Sequence, residues 1–169
     1  MAIEIKVLTQ KNRTGHNIER ILKRYLKIVP DEHLVGLECI TVIDRIADKK
    51  NKEVGGLYRE RYRLQSATIE IALDTVYKGM PKFLYYVPFI SKFILAGVLY
   101  HEIGHHYQKR LSHGIRKSEQ ESFAREYEIK MLKRAFWWWL ILLLPFKPLV
   151  MFLRKRVKTS QERTKRDIR

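Results

Sequence analysis

His101-Glu102-Ile103-Gly104-His105 is the stretch on which the reading of this chain turns. On an α-helix, residues four apart stand on one face with Cβ atoms about 5–6 Å apart, so the nitrogens of His101 and His105 could reach one tetrahedral ion. Glu102 falls about one residue's rotation away, beside the ligand face, where a base acting on water is needed. Two histidines flanking a glutamate at this spacing are the zinc arrangement of metal-dependent peptide hydrolysis. Gly104 is unfavourable in a helix by roughly 1 kcal/mol relative to Ala, and its presence predicts a neighbouring segment packed closely on the metal-bearing turn.

Upstream, Pro88 to Tyr100 reads as a largely buried helix leading straight into the motif, with Phe89, Phe93, Ala96 and Tyr100 on one stripe. Ala67 to Leu73 alternates Ala67, Ile69, Ile71 and Leu73 on one face with Thr68, Glu70 and Ala72 on the other, the pattern of a half-buried strand. Gly55-Gly56 is a turn before Leu57 to Leu64, which predicts a hairpin. Leu37 to Ile43 is a second strand candidate, and Ile3 to Leu8 a third. Asn17 to Val29 spaces its apolar residues by three and four, as an amphipathic helix does. Downstream, Ser112 to Ile115 ends the motif helix, and Ser118-Glu119-Gln120-Glu121 matches a capping box that opens another helix through Tyr127 to Ala135. The expected fold is α+β, a small mixed or antiparallel sheet with the motif helix packed on it.

With 169 residues and 46% apolar content, the chain can bury one core without staples. Its single cysteine, Cys39, excludes an internal disulfide and a cysteine-based zinc knuckle. Met1 to Leu8 lacks a basic region followed by an apolar run, so no signal peptide is read there and a cytoplasmic location is expected. The organisation expected is a domain over 1–134, an apolar segment over 135–153 and a basic, disordered tail over 154–169. The 34 basic and 18 acidic residues give a net charge of +16, which predicts attraction to an anionic surface, phospholipid or nucleic acid.

A catalytic zinc takes three protein ligands and keeps one open position, so His101 and His105 need a partner. A third histidine at 109 or 111 is excluded by Lys109 and Leu111, and His106 points about 100° away from the ligand face. A carboxylate from the following helix remains. In this order of elements the chain resembles the compact gluzincin metallopeptidases, in which a motif helix is followed by a glutamate helix carrying E-x-x-A. Glu121-Ser122-Phe123-Ala124 matches that pattern, and the resemblance implies a zincin-like domain binding Zn2+ through His101, His105 and Glu121. Glu121 also fits the third helical position of a capping box, and Glu119 is the alternative ligand. Arg125 departs from the pattern, standing where an acid or amide often supports a ligand histidine.

The expected chemistry is hydrolysis of a protein or peptide substrate with Glu102 as the catalytic base. Tyr127, His113 and Arg125 are candidate stabilisers of the oxyanion. The resemblance further implies that Thr68, Ile69, Glu70 and Ile71 form the edge strand on which an extended peptide lies.

Ala135 to Leu153 holds nineteen residues with one charge, close to the length that spans a bilayer. Pro145 and Pro148 interrupt it, and basic residues flank both ends. That symmetry favours an interfacial anchor over a span, with Trp137, Trp138 and Trp139 at headgroup level on an anionic membrane. A core helix or a lid over the zinc cleft is the other reading of the segment. Nucleic-acid association is the competing partner class, disfavoured because the aromatics are not interleaved with Lys and Arg. An inactive metal-binding interaction module is a third reading, against which the intact Glu102 stands.

Overall fold

The computed structural model describes residues 3–9, 15–46, 54–60, 66–111 and 116–143. The elements run β1 (Glu4–Val7), α1 (Ile18–Leu26), α2 (Asp31–Leu34), β2 (Leu37–Ile43), β3 (Gly56–Arg59), β4 (Ala67–Ala72), α3 (Leu73–Val76), α4 (Lys82–Tyr85), α5 (Pro88–Leu111) and α6 (Lys117–Leu143). The fold is mixed α+β with a four-stranded mixed sheet.

Strand order is β1-β2-β4-β3. The pairs β1–β2 and β2–β4 are parallel and β3 runs antiparallel to β4, with Tyr58 opposite Ile69. The β-branched residues of the two central strands form the core, since Ile40, Val42, Ile69 and Ile71 have no exposed surface. Thr68, Ile69, Glu70 and Ile71 therefore do not lie on an edge. Strand β4 pairs on both sides and has no free row of N–H and C=O groups to offer a peptide. Gly56 belongs to β3 itself, pairing with Ile71, and among the described residues β3 is the edge strand next to the motif helix.

Helix α1 is capped by Asn17, whose side chain accepts the Arg20 N–H at 2.9 Å. It buries Ile18, Ile21, Leu22 and Tyr25. Tyr25 meets Tyr100 of α5 edge to face, and the Tyr100 hydroxyl donates to the Tyr25 carbonyl at 3.2 Å. Helix α5 contacts α1, α2, α3, α4, β3 and β4, and so forms the centre of the molecule. Its buried runs are Leu95 to Gly97, Leu99 to Tyr100 and Glu102 to Gly104. The expected buried stripe fails at its start, because Phe93 is 39% exposed and Phe89 only half-buried.

The chain divides into two compact units, the first ending at Ala135. Phe136 breaks α6 with φ −120° and ψ 17°. Within the second unit the Trp137 and Trp138 rings lie 4.0 Å apart, and both are exposed. The Trp139 side chain, residues 144–153 and the basic tail lie outside the described residues. No helix among the described residues is long and apolar enough to cross a membrane.

Candidate metal centre

Helices α5 and α6 build the site together. A Cβ placed on Gly104 would stand 2.9 Å from the Cα of Ala124 and 3.2 Å from its carbonyl oxygen, so only glycine admits this approach of two helix backbones. The consequence is that Glu121, one turn before Ala124, faces the two histidines.

His101 and His105 present their Nε2 atoms 3.2 Å apart. Glu121 completes the group, with Oε2 3.5 Å from His101 Nε2 and Oε1 3.7 Å from His105 Nε2. Ligand atoms about 2.0–2.2 Å from a tetrahedral ion stand roughly 3.3–3.5 Å from each other, and the three separations lie near that range, each carboxylate oxygen of Glu121 facing one histidine. His101, His105 and Glu121 are thus a group that could hold a metal ion, two nitrogens and one carboxylate.

The capping reading of Glu121 does not survive the geometry. Helix α6 begins at Lys117, and the Arg116 carbonyl accepts from the N–H groups of Glu119 and Gln120 at 3.0 and 3.1 Å. Ser118 is therefore already inside the helix and cannot act as its N-cap. Glu119 is exposed and does not line the cleft around the histidines, whereas Glu121 does.

Glu128, and not residue 125, contacts a histidine of the group. Its Oε2 lies 3.3 Å from Nδ1 of His101, so Nδ1–H donates to the carboxylate and the Nε2 lone pair is left facing the group. That hydrogen bond raises the His101 pKa above its ordinary value, while burial pushes His105 down. The sequence signal for Glu128 was its distance from Glu121, seven residues, which returns to the same helix face after two turns.

Glu102 is 5% exposed and lines the same cleft, which holds about 610 Å³. Burial pushes its carboxyl up to about 7, against the opposing pull of His101 and of the Tyr58 backbone N–H that donates to it. Strand β3 reaches the carboxylate because Gly56 lacks a side chain. The Tyr58 hydroxyl lies 3.3 Å from Nδ1 of His106, whose Nε2 lies 3.1 Å from the Val35 carbonyl. Since a carbonyl only accepts, Nε2 carries the proton and Nδ1 accepts from Tyr58. Tyr58 thereby joins β3 to α5 through both its backbone and its side chain.

Of the three oxyanion candidates, Tyr127 and Arg125 do not line the cleft. Tyr127 is buried and pairs its hydroxyl with Nδ1 of His33 at 2.8 Å, inside an aromatic cluster with Tyr107. Six residues after Glu121, it lies about 120° round the helix from the ligand. Arg125 is exposed and absent from the cleft lining. His113 lies outside the described residues. No protein-family model, curated protein or solved structure matches this chain.

Proposed function

We propose that the protein is a zinc-dependent endopeptidase with a minimal zincin-like architecture, working at the cytoplasmic face of a membrane. The observation that carries this reading is the convergence of His101, His105 and Glu121 in one cleft with the buried carboxyl of Glu102. Two neutral imidazoles and one carboxylate suit zinc, which takes N and O donors and tolerates an open fourth position. When bound, the ion supplies Lewis acidity, polarising the scissile carbonyl and making water a better nucleophile.

The chain's own residues do the rest. Glu128 holds His101 in the tautomer that turns Nε2 towards the group. Glu102, with a pKa near 7, can take a proton from water and return it to the leaving amine at neutral pH. Alternation along β3 turns Gly56 and Tyr58 away from β4, since the Gly55 carbonyl accepts from the Ala72 N–H at 2.8 Å. The Tyr58 N–H is held by Glu102, which leaves the N–H of Gly56 and the carbonyls of both residues for a peptide. An extended peptide pairing with that edge would lie across the cleft beside Glu102.

Attachment to an anionic bilayer draws support from exposed Trp137 and Trp138 and from the net charge of +16. Metal analysis and cleavage of an unstructured protein such as casein, by wild type and Glu102→Gln, test the catalytic part. Stoichiometric zinc in both with cleavage only by wild type is the expected result. Zinc-loaded protein whose activity survives Glu102→Gln would remove the base from the mechanism.

A further inference from the structure

At the start of α5 the domain carries exposed apolar side chains. Phe83 and Tyr86 are each 67% exposed, Val87 36% and Phe93 39%, all within eleven residues of sequence. Between them Tyr85 turns the other way, its ring tilted against that of buried Tyr77 at 5.4 Å and its hydroxyl donating to the Tyr77 carbonyl at 3.0 Å. That anchor fixes the α4 turn so that its two flanking aromatics face outward. Phe93 lies against Phe89 one turn earlier, ring centroids 6.1 Å apart, and so extends the same apolar end along the helix.

Positive charge borders this end. Helices α5 and α6 run antiparallel, because Gly104 meets Ala124 while a Cβ on Gly97 would stand 3.2 Å from Glu128 and 3.8 Å from Leu132. The start of α5 and the stretch before Ala135 are therefore at the same end of the helix pair. Lys133 and Arg134 are exposed there, and Lys92 precedes Phe93. Exposed aromatics with lysine and arginine at the same end of the helix pair match the boundary between acyl chains and anionic headgroups.

We propose that the α4–α5 corner, centred on Phe83 and Tyr86, is a docking surface for an anionic phospholipid bilayer. It rests on the reading of the protein as membrane-associated and adds a second attachment, on the folded domain itself. Two weak attachments also meet the requirement that stable anchoring takes more than one signal. Phe93 precedes His101 by eight residues, about 12 Å along the helix, so docking here holds the metal group close to the headgroups. The peptides within reach are then the juxtamembrane segments of membrane proteins.

The test labels the full-length protein with an environment-sensitive fluorophore at Phe83→Cys or Leu111→Cys, both in a Cys39→Ser background. Leu111 is 61% exposed at the opposite end of α5 and serves as the control. Proteins are floated with phosphatidylcholine vesicles with and without phosphatidylglycerol, some carrying a nitroxide-labelled acyl chain. Expected are flotation that depends on phosphatidylglycerol, quenching at position 83 and none at 111, unchanged by chelator. The Phe83→Ser/Tyr86→Ser double variant should partition about tenfold more weakly while keeping its thermal unfolding midpoint. No flotation would remove the membrane reading as a whole. Flotation without quenching at 83, or with undiminished binding by the double variant, would overturn this surface alone, as would burial of the 83 label in a dimer in solution.

Discussion

Gly56 on β3 and Glu102 on α5 approach so closely that a Cβ on Gly56 would stand 2.5 Å from Oε1 of the carboxylate and 2.8 Å from its Cγ. The placement of the Glu102 carboxyl thus depends on a missing side chain in a different element. Gly56→Ala must push Glu102 aside, since Val98 also lies 2.8 Å from the new methyl. Overpacking of this kind costs about 1–3 kcal/mol, and a displacement near 1 Å at a reacting group can cost on the order of a hundredfold in rate. The expected outcome is a large loss of kcat/KM with zinc content intact. Loss of zinc in parallel with activity would mean that the substitution disturbs the ligands and not the base.

Glu102 also makes the chelated protein sensitive to pH in a defined direction. Its folded pKa of about 7 lies above the ordinary 4.5, so the folded state holds the proton more tightly than the unfolded chain does. Its contribution to stability is fully present below about 4.5 and is lost as pH rises through about 7, a change of about 3 kcal/mol. Gln cannot ionise and removes that dependence. Urea unfolding of chelated wild type and Glu102→Gln should show the variant gaining on wild type between pH 4.5 and 8. A difference independent of pH would refute the buried, proton-holding carboxyl.

Glu128 orients His101 through the 3.3 Å contact at Nδ1. Glu128→Ala frees the ring to rotate and lets the wrong nitrogen keep its proton, which for partners of this kind lowers metal affinity about 10–100-fold. Zinc competition against a chromophoric chelator reads the affinity. In the chelated variant the His101 pKa should also fall, because the Glu128 hydrogen bond is the largest contribution holding it up. Unchanged zinc affinity would leave Glu128 as a surface carboxylate without a role.

The motif, the downstream glutamate helix and the existence of each strand were legible because each rests on local spacing. Periodicity places Ile69 and Ile71 on a buried face, yet it carries no information on which strands flank them. The interior position of β4 is decided by the non-local parallel pairing of Cys39 to Ile43 and by the return of β3. The same limit hid the link from Tyr58 to Glu102, which joins residues 44 apart in sequence. Phe93 shows the converse failure. Its helical spacing from Ala96 and Tyr100 suggests a core position, yet it is 39% exposed, because whether a stripe is covered depends on the elements packed on it and not on its spacing.

Tyr127 provides a check on its reassignment from chemistry to packing. Its hydroxyl is committed to His33, and its ring closes the cluster with Tyr107. Tyr127→Phe keeps the ring and deletes one hydrogen bond, which should lower stability by about 1 kcal/mol and leave kcat within about twofold. A loss of kcat far beyond the loss of stability would return Tyr127 to the active site.

Gly104→Ala sets two effects of known size against each other. Helix propensity favours the alanine by about 1 kcal/mol, whereas the new methyl would meet the Ala124 backbone at 2.9 Å, an overpacking of about 1–3 kcal/mol. Overpacking should prevail, because the atom that must give way is the Cα of a long helix and not the end of a flexible side chain. Separating α5 from α6 there also withdraws Glu121 from His101 and His105, so zinc affinity should fall together with stability. Ala124→Gly in the same chain removes the 3.3 Å contact with the Cβ but not the one with the Cα, and should restore only part of either quantity. Denaturant unfolding and zinc competition on the single and double variants measure both. A Gly104→Ala protein as stable as wild type, with unchanged zinc affinity, would show that the close approach of the two helices is not what sets the metal group.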